Sequence, residues 1–170
     1  MAGPVKGARR IARLALLTAI ALTIFMAEAQ IPALTTVPGV KLGLANIVTV
    51  YAVFVLGPGD ALLVLSGRVF LGAVFSGQPT TLIYSAAGGL LSWCVLCLLR
   101  KALTEKQIWL ASPVAAVFHN LGQLLAAAAV LRSWAVMAYL PYLIIAAVLA
   151  GLFTGLAAQA LIRRLDRIKT

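Results

Sequence analysis

Acidic side chains are the scarcest chemistry in this sequence: Glu28, Asp60, Glu105 and Asp166 are the four carboxylates in 170 residues. That scarcity excludes an aspartate-rich magnesium–diphosphate site, which needs several carboxylates close together, and no Asp-Asp-x-x-Asp run occurs. There is no Gly-x-x-x-x-Gly-Lys-Ser/Thr phosphate loop, so hydrolysis of a nucleotide by that route is excluded as well. The single histidine, His119, has no serine or cysteine nucleophile in a recognisable motif. The two cysteines, Cys94 and Cys97, are too few for a four-ligand zinc site and read as buried packing residues within an apolar helix. The expectation is a non-enzyme without a cofactor or a metal. Any uphill transport would then draw its energy from another subunit or from an ion gradient.

What is abundant is apolar surface. The sequence is 63% hydrophobic and 11% charged, whereas a soluble domain carries roughly a quarter of its residues as charges. The net charge of +10 could suggest nucleic acid. Yet the basic residues sit in three short clusters that flank apolar runs: Lys6/Arg9/Arg10/Arg13, Arg100/Lys101/Lys106 and Arg163/Arg164/Arg167/Lys169. No continuous basic face or aromatic stacking platform accompanies them, so they read as membrane-flanking charge.

Six membrane spans are expected, at about 11–31, 42–57, 60–76, 79–99, 108–131 and 138–162. Pro32, Pro38-Gly39, Gly57-Pro58-Gly59 and Gly77 with Pro79 punctuate them, since none continues a helix easily. The first run, Ile11 to Ile31, is too long for a cleaved signal core and reads as a retained helix. An even number of spans puts all three basic clusters on the cytoplasmic side and leaves Lys41 and Arg132 opposite. The fold class is therefore an all-α, single-domain bundle of six transmembrane helices with both termini cytoplasmic. Small residues recur in it: Ala12, Ala15 and Ala19, Gly67 and Gly72, Ala86 to Gly89, and Gly151-x-x-x-Gly155. Most read as close helix packing, while Ala15 and Ala19 share a face of the first helix that suits a partner protein.

Polar residues within the spans carry the functional signal. Arg68 lies ~12 Å into the third helix, counting 1.5 Å per residue from Asp60, and an arginine there costs on the order of 3 kcal/mol. It needs an internal ion pair or a backbone-carbonyl anchor, or else an anionic ligand. Asp60, two turns away, meets it only partly, and Glu28 lies near the outer end of the first helix. His119 and Gln123 are one turn apart on the fifth helix, with Asn120 beside them, at a similar depth of ~16 Å. Such a cluster must be partnered or form a polar pocket. On the outer side, Lys41, Asn46, Gln78, Thr80, Thr81 and Tyr84 join Glu28 and Gln30 around an expected mouth. Lys41 also fits simple snorkelling at the interface.

The runs Pro38-Gly39-Val40-Lys41-Leu42-Gly43-Leu44-Ala45-Asn46, Tyr84-Ser85-Ala86-Ala87-Gly88-Gly89 and His119-Asn120-x-x-Gln123, with the Arg68 segment, resemble the Gx transporter family. Its members are often labelled heptaprenyl diphosphate synthase component I. That family is in turn similar to the substrate-binding S components of energy-coupling factor transporters. The resemblance implies capture of a small molecule outside the cell by a multi-pass protein of the bacterial cytoplasmic membrane. It also implies docking of Ala15 and Ala19 on a shared transmembrane coupling subunit, with partner ATPases supplying energy. On this reading Arg68 pairs with an anionic group, His119, Asn120 and Gln123 hydrogen-bond the molecule, and the 32–41 loop gates the site. The synthase label implies instead a non-catalytic accessory subunit in isoprenoid, quinone or flavin-linked electron-transfer metabolism, with a lateral opening between helices. A purely structural partner would have a closed interior with Arg68 tied internally.

Overall fold

A computed structural model describes residues 4–30, 43–104 and 107–169, with side chains between Gly7 and Arg164. Among the described residues every regular element is helical. Helix α1 spans Pro4–Glu28, α2 Asn46–Val55, α3 Pro58–Ser76, α4 Pro79–Ala102, α5 Ile108–Leu131 and α6 Leu140–Lys169, and a 3₁₀ helix at Trp134–Tyr139 leads into α6. Five segments are long and apolar enough to cross a membrane: Gly7–Glu28, Pro58–Ser76, Pro79–Ala102, Ile108–Leu131 and Trp134–Arg164.

The second expected span, 42–57, is realised differently. Its helix is the 10-residue α2, about 15 Å long and half the thickness of a bilayer core. The shortening has a local cause. Gly43 adopts φ +80 and Gly57 adopts φ +104, a left-handed backbone that no helix can carry through. The first helix is also shorter than expected at its far end, stopping at Glu28 and passing into a turn at Ala29 and Gln30.

Helix α2 is the centre of the bundle. It lies against α1, α3, α4, α5 and α6, and seven of its ten residues are buried, so both its faces meet protein. Val50, Ala52, Val53 and Phe54 pack with Ala61, Leu96, Ile108, Ala111, Ala115 and Ala158. The longer helices form an arc around it in chain order after α1, with α1 set against α3.

The small residues do make close packing. A Cβ on Gly72 would stand 2.9 Å from the Phe25 ring, one on Gly67 3.0 Å from Thr18, and one on Gly122 2.7 Å from the Ala87 carbonyl oxygen. Gly151 and Gly155 bring α6 onto α5 at Pro113, Ser112 and Trp109. Where lipid gives apolar surface no reason to associate, such close approach supplies the dispersion contacts that hold helices together. Phe70, Phe75, Leu98, Leu149 and Phe153 point away from the bundle, which suits a surface solvated by acyl chains.

One end of the bundle gathers its charges. The Arg10 guanidinium donates to the Asp60 carboxylate, joining the starts of α1 and α3. Asp60 is thus turned toward α1 and away from Arg68, the partner expected for it in part, because it sits in the first turn of α3 opposite the basic start of α1. Trp93 Nε1 donates to the Pro58 carbonyl at 3.1 Å, and the Gln159 side-chain oxygen accepts from the Trp109 N–H at 3.3 Å. The starts of α1, α3 and α5 and the ends of α4 and α6 therefore stand together.

Candidate functional site

The N-terminal end of α2 stops inside the bundle, and its free N–H groups need acceptors. Asn46 and Ile47 donate to the carbonyls of Gly43 and Leu44, closing a tight first turn. Ala45, at the cap position, offers no side-chain acceptor. Glu28 supplies it from α1: one carboxylate oxygen accepts the Gly43 N–H at 2.7 Å and the other the Leu44 N–H at 2.9 Å. A carboxylate at this end is also favoured by the helix dipole. Glu28 is 6% exposed.

Arg68 reaches the same level from α3. Its guanidinium lies over the Phe25 ring, 5.6 Å from the centroid, a geometry in which the ring face attracts the cation. It stands within electrostatic reach of Glu28 and of His119. One of its terminal nitrogens, Nη2, is buried with no hydrogen-bond partner.

The His119 ring fills the space over two glycines. A Cβ on Gly43 would stand 2.8 Å from His119 Cδ2 and 3.0 Å from Nε2, and one on Gly88 would stand 3.2 Å from Cε1. Asn46 Nδ2 lies 3.4 Å from that same Gly43 position, so the imidazole and the Asn46 amide share one small volume. Gln123, one turn along α5, packs against Gly88. His119 Nδ1 and both polar atoms of Asn46 are buried without a hydrogen-bond partner. An unmet buried polar group costs about 1–3 kcal/mol, and native folds leave few of them. Four such atoms, on Asn46, Arg68 and His119, lie around one helix end, while Ser92 Oγ and Asn120 Oδ1 are buried without a partner elsewhere on α4 and α5.

Of the residues singled out from sequence, Arg68, His119, Gln123 and Asn46 come together here. Asn120 does not. One residue along a helix turns a side chain by ~100°, and Asn120 Nδ2 donates to the Leu143 carbonyl of α6 at 3.1 Å. Tyr84 is buried in an apolar cluster with Leu124, Ala127, Ala128, Val136 and Leu143. Gln78 is exposed at the α3–α4 turn, beside a notch of about 220 Å³ lined by Phe70, Ala73, Val74 and Leu82. Lys41 and the 32–41 loop lie outside the described residues. Ala15 and Ala19 are exposed along α1. Cys94 is exposed and Cys97 half-buried, both free, so Cys94 is not the buried packing residue that its apolar surroundings suggested.

Sequence reasoning set Glu28 at a mouth and missed its work as the cap of α2. It also missed Phe25 as the platform under Arg68, and Gly43 and Gly88 as the walls of the His119 slot. A carboxylate closing an apolar helix was the available signal for Glu28. Nothing in the sequence marked Phe25.

No curated protein and no solved structure matches the chain. The family described as heptaprenyl diphosphate synthase component I matches residues 17–161, a stretch that reaches from α1 into α6 and holds every residue of the cluster. The chain belongs to the heptaprenyl diphosphate synthase component I family.

Proposed function

We propose that this protein is the substrate-binding membrane subunit of a small-molecule uptake transporter of the energy-coupling factor type, without catalysis of its own. The observation that carries the reading is the set of unpartnered buried polar atoms on Asn46, Arg68 and His119 around the inner end of α2. Buried polar groups at mid-membrane are expensive, and where they converge on one volume they commonly mark a substrate path. In the form described, Gly43 lies directly on the His119 ring. Binding therefore requires the Gly43–Leu44 turn, held from α1 by Glu28, to move aside.

On this proposal α1 to α6 all cross a bacterial cytoplasmic membrane, α2 together with the residues leading into it, and both termini are cytoplasmic. The exposed Ala15 and Ala19 face of α1 docks on a coupling subunit that carries partner ATPases. The test is direct. Protein purified in mild detergent is denatured, and released small molecules are identified by mass spectrometry. A compound in near-stoichiometric amount is expected, and cells expressing the protein should accumulate it in an energy-dependent way. A preparation that releases nothing, from cells that accumulate nothing, sinks the proposal.

The family description favours a second reading, a non-catalytic accessory subunit in isoprenoid or quinone metabolism. It requires a prenylated or quinone-like molecule among those released, and a catalytic partner that loses activity when this chain is deleted.

A further inference from the structure

The polar atoms around the end of α2 divide into satisfied and unsatisfied ones. Among the described residues, Glu28 and Arg68 are the buried side chains with opposite full charges. Glu28 spends both oxygens on the Gly43 and Leu44 N–H groups and stands within electrostatic reach of Arg68. The Glu28 carboxylate offsets part of the cost of burying the Arg68 guanidinium. A further buried charge of either sign would leave this pair unbalanced, at a cost that grows in a low dielectric.

What is left over is hydrogen-bonding capacity with a definite pattern. Asn46 has both its amide nitrogen and its amide oxygen unspent, at 3% exposure. A carboxamide in that state offers a donor and an acceptor side by side. Its complement is another amide edge, an N–H next to a C=O, which accepts from Asn46 Nδ2 and donates to Oδ1. A carboxylate or phosphate meets only half of this, since its oxygens would face Oδ1 with no proton between. An ammonium group fails at Nδ2 and beside Arg68. Arg68 Nη2 is a donor awaiting a carbonyl, which a second C=O of the same molecule can provide. His119 Nδ1, also unpartnered, donates or accepts according to its tautomer and completes the ring of contacts.

We infer that the substrate is uncharged at its recognised end and presents a lactam, ureide or imide edge, paired by Asn46 and accepting a further hydrogen bond from Arg68. This deepens the binding reading above and rests on it. It departs from the anionic substrate expected from Arg68 alone, because a buried carboxylate, Glu28, already stands within electrostatic reach of that guanidinium.

The test is native mass spectrometry of the full chain in lipid nanodiscs, with the adduct released, weighed and fragmented. Asn46→Asp keeps the side-chain shape, suits the start of a helix, and exchanges the donor for an acceptor. The expected result is a nitrogen-containing neutral adduct with an exchangeable N–H on the parent protein, and at least about tenfold lower occupancy in Asn46→Asp, the loss of one or two buried hydrogen bonds. Asn46→Leu removes both unmet groups. It should lose the adduct while raising the unfolding temperature of ligand-free protein, whereas an asparagine needed only for the fold would lower it. An adduct bound through a carboxylate or phosphate, or full occupancy in Asn46→Asp, overturns this inference and leaves the binding reading intact. Parent protein with no adduct at all overturns this inference, and together with cells that accumulate nothing it overturns the binding reading as well.

Discussion

The Glu28 carboxylate accepts the Gly43 N–H at 2.7 Å across a sequence separation of 15 residues, joining the far end of α1 to the inner start of α2. The same carboxylate caps Leu44 and stands within electrostatic reach of Arg68. Replacing Glu28 by alanine leaves two N–H groups without an acceptor and a buried guanidinium without its counter-charge. We expect Glu28→Ala to cost about 3–5 kcal/mol, read as a large fall in the unfolding midpoint in detergent. Glu28→Gln retains one side-chain acceptor and should fall between the two. An alanine variant as stable as the parent would show that Arg68 is balanced by another group.

Gly88 makes a separate prediction about packing. Its Cβ position is 2.7 Å from the His119 carbonyl oxygen and 2.7 Å from Gln123 Cγ, so the obstacle on one side is backbone. Gly88→Ala must push α4 off α5 and tilt the His119 slot, at about 1–3 kcal/mol for an overpacked interior. Gly7→Ala is the matched control, since nothing stands within 4 Å of its Cβ position. It should stabilise α1 by up to about 1 kcal/mol through helix propensity. Thermal unfolding of both variants, with adduct occupancy for Gly88→Ala, checks the pair.

How far the sequence discloses this arrangement depends on whether the cause is local. The ends of α3, α4 and α5 follow from Gly57-Pro58, Gly77 with Pro79, and the apolar length between them, and observed and expected limits agree within a few residues. The depth match of Arg68 and His119 is equally legible, since helical rise alone sets it. The half-length of α2 is not, because Leu42 to Leu44 read as apolar as the helix itself and only the left-handed turn at Gly43 stops it. Asn120 differs from His119 by a rotation about α5, and choosing between them needs the position of α6. The balance of Arg68 by Glu28, in place of Asp60, is likewise a consequence of α1 lying parallel to α3.

The Arg10–Asp60 pair lends itself to a contrast with Arg68. It joins α1 to α3 through three hydrogen-bonded contacts, but the Arg10 side chain is 60% exposed. Exposed pairs gain little over hydration and are screened by salt. Asp60→Asn should therefore leave the unfolding midpoint and adduct occupancy close to parent values. Arg68→Met, by contrast, strands the buried Glu28 carboxylate and should lower both. Equal effects from the two substitutions would place the anchoring of α1 at its exposed end.

The direction in which the site opens depends on which end of the bundle is cytoplasmic, and that can be read chemically. The proposed orientation puts the start of α5 inside the cell and its end outside, 24 residues apart, or about 36 Å. Gln107 precedes α5 and Arg132 follows it, and both are exposed. With Cys94 and Cys97 changed to serine, single cysteines at Gln107→Cys and Arg132→Cys report the two ends. A membrane-impermeant maleimide added to intact cells should label Arg132→Cys at once and Gln107→Cys only after permeabilisation. The reverse pattern would put the Arg9, Arg100 and Arg163 clusters outside, against the usual distribution of basic charge. It would also turn the end of α1 and the Glu28-held turn, which the proposed function requires to move aside, toward the cytoplasm. Uptake from outside would then have no route to Asn46, and an accessory role at the inner leaflet would be the better account.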